Sequence, residues 1–154
     1  MKRTRRTAIL SSMRRFLRES AGQNLVEFAL VIVLIMALLV GVVEFGRAWN
    51  IYQVIANGAR EGARIAALPV GFATAADVNT RVDNYLNAAG LPPGSTTVAI
   101  GGAGIDGGTG TDVSVTVSHP YQFLYVGPIV RLINPAATAG GSVTLQAQAI
   151  MRNE

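Results

Sequence analysis

The 154-residue chain has no cysteine, which excludes disulfides, thiol nucleophiles and thiolate metal sites. Its single histidine, His119, leaves a catalytic zinc without the side chains to hold it. No proline precedes Pro69, so none interrupts a helix before that point. Charge is scarce: 14% of residues are charged, against roughly 25% in a typical soluble domain. The basic surplus is also confined. Lys2, Arg3, Arg5, Arg6, Arg14, Arg15 and Arg18 share residues 1–22 with one acid, Glu19, giving that segment +6, whereas residues 23–154 carry net −2. Nucleic-acid binding inferred from whole-chain charge therefore fails.

What the chain has in abundance is apolar residues, half of the total. From Leu25 to Val43, 19 consecutive residues carry one charge, Glu27. As a helix they span about 28 Å at roughly 1.5 Å per residue, close to the ~30 Å hydrocarbon core of a bilayer. A small domain has too little interior to surround such a helix, so a membrane span is the better account than a core helix. Seven basic residues precede the run, while Glu44 and Arg47 cancel after it. The positive-inside rule then places the N-terminus in the cytoplasm and residues 48–154 outside. A cleaved secretory signal has a shorter apolar region and a small-x-small site after it, and Gly46-Arg47-Ala48 is a poor one. Ile9, Leu10, Met13, Phe16 and Leu17 recur at helical spacing beside Arg14, Arg15 and Arg18, a pattern that suits anionic lipid as well as an orienting tail.

Glu27 needs a reason. An acid at mid-bilayer costs on the order of 2.5–3.5 kcal/mol, though less near an interface, and Glu27 is only the third residue of the run. Its context is Gly22-Gln23-Asn24-Leu25-Val26-Glu27-Phe28, then a long apolar stretch. This arrangement resembles the processing site of type IV pilin-like proteins. The resemblance implies that a prepilin peptidase cuts after Gly22, that Gln23 becomes the new N-terminus, and that Glu27 is the fifth mature residue. Gln23 departs from the Phe or Met that pilins usually carry there. Cleavage would remove the +6 leader and free an α-amine to pair with a carboxylate in apolar surroundings, far better than an isolated charge.

The helical pattern continues beyond the run. Ile51, Ile55, Ala59, Gly62 and Ala66 fall on one face of a 3.6-residue period, with Gln53, Asn57, Arg60 and Arg64 elsewhere. Residues 25–67 thus read as one helix, with Trp49 and Tyr52 where an outer-interface aromatic belt belongs. Gly41, Gly46, Gly58 and Gly62 interrupt it, and Gly58 and Gly62 suggest either close approach of another backbone or simple tolerance. Two further motifs, Glu44-Phe45-Gly46-Arg47 and Ala59-Arg60-Glu61-Gly62-Ala63-Arg64, join Leu25-Val26-Glu27-Phe28 in order around the apolar run. Together they resemble the TadE-like branch of pseudopilins, accessory subunits of the tight-adherence (Flp) pilus machinery. The resemblance implies assembly contacts at Glu27 and Phe28, and motif contacts at Glu44, Arg47, Arg60, Glu61 and Arg64. For Arg60 and Arg64 a solubilising face, and for Glu61 with Arg64 a solvated helix pair, are the plainer readings.

In residues 68–154, Thr74 with Asp77 predicts a capping box for a helix over 75–89, with Val78, Val82, Tyr85, Leu86 and Ala89 on one face and Gly90 as the stop. Leu91-Pro92-Pro93-Gly94 breaks the chain. Thr97–Ile100 is a short strand, and Asp112–Ser118 alternates with Val113, Val115 and Val117 on one face. Val143–Met151 alternates too, with Val143, Leu145, Ala147 and Ala149 against Thr144, Gln146 and Gln148. These predict an antiparallel sheet packed on the amphipathic half of the long helix. Val126–Ile133 reads as a short helix or an irregular apolar segment.

Gly101-Gly102-Ala103-Gly104-Ile105-Asp106 matches the opening of a calcium-binding nonapeptide, but only one copy is present. Asp106 and Asp112 offer weak Ca²⁺ ligands at most, and a hairpin loop explains the glycines better. His119 is structural or exposed, and Ser118 and Ser142 lack a nucleophile elbow. No residue pattern supports an enzyme, a metal or a cofactor.

The expected class is α+β. Residues 1–22 form a cleaved basic leader, 23–47 a transmembrane helix, 48–67 its extracytoplasmic continuation and 68–154 a small α+β domain. The expected function is a pseudopilin-type subunit of the Flp/Tad pilus apparatus, single-pass in the bacterial inner membrane or incorporated in a pilus. Its partners would be the membrane, a prepilin peptidase and other pilin-like subunits, with no nucleic acid and no small-molecule substrate. Two alternatives stand beside it: an unprocessed single-pass anchor displaying a binding or adhesion module, and a secreted domain beginning near Trp49.

Overall fold

The computed structural model describes residues 4–92, 94–134 and 141–154, and of residues 4–21, 132 and 133 the backbone alone. The side-chain pattern expected over 9–18, and Pro93 in the proline break, lie outside the described residues. The chain divides into two compact units, Met1–Val42 and Val43–Glu154. Helix α1 (Thr4–Ala66) supplies the described part of the first unit and continues into the second.

In the first unit the apolar run stays bare. Leu30 and Leu34 are 70% exposed, and none of the most apolar stretch of α1 is buried. A core helix would be covered, so that reading fails for the described residues. The run is long and apolar enough to cross a membrane.

The second unit is α+β. After α1 come α2 (Ala75–Ala88), β1 (Thr97–Gly102), β2 (Asp112–Gln122), α3 (Val126–Ile133) and β3 (Ser142–Arg152). The strands form an antiparallel sheet in the order β1-β2-β3. Helix α2 starts as expected. The Thr74 hydroxyl accepts from the Asp77 backbone, and Asp77 accepts in return from the Thr74 N–H at 2.9 Å. It ends at Ala88, and Gly90 just beyond the C-cap turns the chain with a φ of +87° that an L side chain resists.

Period-two alternation decides which face of β2 is inside. Val113, Val115 and Val117 are fully buried, and the register sets Val117 against Ala147 and Val115 against Ala149. This face packs with Ile55, Ala59, Ala63 and Ala66 of α1 and Val78, Val82 and Leu86 of α2 in one core. The opposite face carries Thr116, Ser118, Gln146 and Gln148, as one-sided antiparallel sheets do.

Gly62 is where the three layers meet. A Cβ there would come within 2.6 Å of a Val82 methyl and 3.1 Å of a Val115 methyl; at Gly58 it would meet Leu86 at 3.1 Å. The close approach anticipated at these glycines is thus made by side chains of the same chain, not by another backbone. Gly41 and Gly46 have nothing within 4 Å.

Several expectations need correction. Ala89 is exposed, because α2 ends at Ala88 and the chain turns away at Gly90. Val143 is 48% exposed, although Tyr121, its partner at the end of the sheet, is buried. Strand β2 runs through His119 and Pro120 to Gln122 instead of stopping at Ser118. Of the two readings of Val126–Ile133, the short helix is the one observed.

Strand β1 stops short of Pro120: its first residue, Thr97, pairs with Ser118. The Asp112 carbonyl accepts from the Ala103 N–H, so even-numbered β2 residues turn their backbone groups toward β1's side. Pro120 therefore lacks its N–H where β1 has already ended.

The glycine-rich loop 103–111 is a hairpin pinned by Asn153. The Asn153 side-chain amide donates to the Gly107 and Gly104 carbonyls at 3.0 and 3.3 Å, and its backbone N–H donates to Thr111 at 2.8 Å. Asp106 and Asp112 are exposed, and no group of three metal-ligating side chains occurs among the described residues.

We predict that Gly62→Ala destabilises the second unit by about 1–3 kcal/mol through overpacking. Gly46→Ala, which meets open space, should leave it unchanged or stabilise it by up to about 1 kcal/mol. Denaturant unfolding of the full chain in detergent, followed by near-ultraviolet circular dichroism, checks both.

Candidate functional site

A carboxylate directly after an apolar run, on a helix face that is otherwise core, must find partners or stay wet. Glu44 finds them. Its side chain is buried, and both oxygens are engaged within the second unit. Oε1 accepts from the Tyr121 hydroxyl at 2.5 Å, from Arg47 Nη1 at 3.0 Å and from the Leu124 N–H at 3.0 Å. Oε2 accepts from the Tyr125 N–H at 2.9 Å. The Arg47 guanidinium also lies 5.7 Å from the centre of the Tyr121 ring.

Each partner has a local reason to be there. Arg47 is one helical turn after Glu44. Tyr121 is the last buried residue of β2's inward series. Leu124 and Tyr125 form the entry to α3, whose N-cap residue, Tyr125, makes no side-chain cap. A carboxylate on these two N–H groups takes the place of a cap and places negative charge at the positive end of the helix. Burial, and then the bond to Glu44, push the Tyr121 phenol up to about 12.

The carboxylate accepts three donors on Oε1 and one on Oε2, all of them from its own chain. The arrangement is a clamp: it fastens the end of β2 and the start of α3 to one position on α1.

The remaining motif residues are placed as follows. Glu61 accepts from Arg81 Nη2 of α2 at 2.8 Å and from its Nε at 3.1 Å, whereas Arg64 is 3.8 Å away. The expected solvated pair with Arg64 is therefore the minor contact, because Arg81 sets two N–H donors on Glu61 Oε2 within hydrogen-bond distance and Arg64 sets none. The bond from Arg81 is the main reason the Glu61 carboxyl is held below its ordinary range. Arg60 is exposed and donates to Asn57 at 2.7 Å. Gly22, Gln23, Glu27 and Phe28 lie in the first unit, on the exposed face of α1, and no bond to Glu27 occurs among the described residues. His119 is buried in β2 with Nδ1 3.1 Å from the Ser95 carbonyl, a structural tie. Phe45, Trp49 and Tyr52 stack in series at 6.2 and 5.9 Å between ring centres, largely exposed.

Residues 22–64 match the family model of the TadE-like protein. No curated protein and no solved structure matches the chain. The TadE-like segment begins at Gly22, takes in the whole apolar run and both later motifs, and ends at Arg64. The TadE-like family points to the Tad/Flp pilus system, and the one helix among the described residues that is long and apolar enough to cross a membrane fits an anchor.

Tyr121, Leu124 and Tyr125 lie outside the TadE-like segment, and sequence reasoning missed them. One signal was available. Glu44 lies two helical turns before Ile51 on the stripe that continues through Ile55, Ala59, Gly62 and Ala66, which places a charge in line with a core face.

Glu44→Ala should destabilise the second unit on the order of 3 kcal/mol, since an orphaned buried donor costs about 1–3 kcal/mol; Tyr121→Phe, which leaves three donors, should cost about 1 kcal/mol. Denaturant unfolding of the full chain in detergent measures both. The Tyr121 phenol of the folded chain binds its proton more tightly than the unfolded value of 10.0. The stability it adds is thus complete below pH 10 and lost as pH rises toward about 12. Phenolate absorbance should show one late-titrating tyrosine that Tyr121→Phe removes.

Proposed function

We propose that the chain is a pseudopilin-type subunit of a Tad/Flp pilus apparatus, cut after Gly22 by a prepilin peptidase and working by packing against other pilin-like helices in the inner membrane. The observation that carries this reading is the reach of the TadE-like match, which starts at the glycine before the scissile bond. The exposed apolar run supports it: a helix bare on every side has its partners in lipid or in other helices.

The chemistry follows from charge. The uncut chain holds seven basic residues ahead of the run, a strong cytoplasmic tether. Cutting removes them and creates an α-amine four residues before Glu27, on the same first turns of the mature helix. That amine, or the one on a neighbouring subunit, is the counter-charge that makes a carboxylate tolerable in apolar surroundings. The globular domain stays on the extracytoplasmic side.

N-terminal sequencing of the membrane-extracted protein should return Gln23 as the first residue in cells with an active prepilin peptidase. Replacing Gly22 should leave the chain near Met1, and Glu27→Ala should insert normally but fail to assemble pili. An intact terminus in the unmodified protein would mean an uncut anchor instead. Normal pili in Glu27→Ala cells would remove the role given to that carboxylate.

A further inference from the structure

A surface helix of a soluble domain turns its apolar stripe inward. Helix α3 and the residues that lead into it turn part of their apolar surface outward. The helix meets the second unit through buried Gly127 and half-buried Val126 and Val130, while Leu124, Tyr125, Pro128 and Ile129 are exposed. Leu124 and Tyr125 lead into the helix, and Pro128 and Ile129 follow in its first turn, so the four exposed residues are close in the chain. No charged residue occurs from Pro120 to Val130, and exposed Arg131 follows. On α1, Phe45 is 69% and Trp49 53% exposed.

We infer that α3 lies in the headgroup–acyl boundary of the leaflet at which the apolar run ends, with Leu124, Tyr125 and Ile129 in the lipid and Arg131 at the headgroups. The inference rests on reading Leu25–Val43 as a membrane span. The chain itself sets the occupant. Val43 is the last residue of the run and Glu44 the next, and the Glu44 carboxylate holds the Leu124 and Tyr125 N–H groups at 3.0 and 2.9 Å. The entry of α3 is thereby tied to the residue at which the membrane boundary falls. An eight-residue helix is about 12 Å long, too short to span and suited to lying in the plane. Arg131 adds a cation that anionic headgroups attract.

The test uses the full chain in vesicles of phosphatidylcholine and phosphatidylglycerol, with Trp49→Phe removing the single native indole. Ile129→Trp, with Leu124→Trp as a second reporter, is compared with Val33→Trp in the run and Gln146→Trp on the polar sheet face. Lipids brominated at shallow acyl positions should quench Ile129→Trp and Leu124→Trp several-fold more than Gln146→Trp, and both should be shielded from acrylamide. If both behave like Gln146→Trp while Val33→Trp is quenched, the span stands and the inference falls. If both are shielded from acrylamide yet blind to the bromines, protein covers α3 instead, which also overturns it. If Val33→Trp itself escapes quenching, the span reading fails and takes the inference with it.

Discussion

One ionised side chain sets the terms for the upper part of the globular unit. Glu44 stands on a helix face whose later members, Ile55, Ala59, Gly62 and Ala66, are core. A charge in that row is acceptable only with a full set of donors. Arg47 comes from its own helix; the Tyr121 hydroxyl and the Leu124 and Tyr125 amides come from about 80 residues later in the chain. The end of β2, the start of α3 and the first turn of α1 in this unit are therefore fixed by one another. At Gly62 the same helix is held by a different means: the missing side chain makes room for the methyls of Val82 and Val115. Polar satisfaction at one level and steric fit at the other give α1 two fastenings about 27 Å apart along its axis at roughly 1.5 Å per residue. Glu61 and Arg81 add a weaker exposed one between α1 and α2.

Much of this was legible in the residues. The long helix, the capping box at Thr74 and Asp77, the glycine stop, the short first strand and the two alternating strands follow from periodicity and turn chemistry, and the structure has all of them. Ala89 and Val143 went the other way because a periodic pattern marks a face without saying how far along the element its cover reaches. The extension of β2 past Ser118 was hidden by Pro120, a residue that reads as a strand breaker and is tolerated here because its ring occupies an unpaired edge.

The candidate site was half legible. The two charged motifs marked Glu44, Arg47 and Glu61, but not what they would meet. Glu44 takes its main partners from a stretch whose sequence, Pro120-Tyr121-Gln122-Phe123-Leu124-Tyr125, has no charge to advertise it, and two of the four donors are backbone amides that any sequence would supply. Arg81 is likewise 20 residues from Glu61 and comes within reach only once α2 folds back on α1. Asn153 was invisible for the same reason: its task is to hold carbonyls of a glycine loop more than 40 residues earlier.

The placement of Pro120 carries one further consequence. An unpaired stretch of a central strand is an invitation to any extended chain nearby, and the invitation is strongest where many copies are crowded in two dimensions. With no amide hydrogen to offer at that position, Pro120 takes one donor away from the stretch that β1 leaves uncovered, and an extended chain docking there would meet a broken ladder.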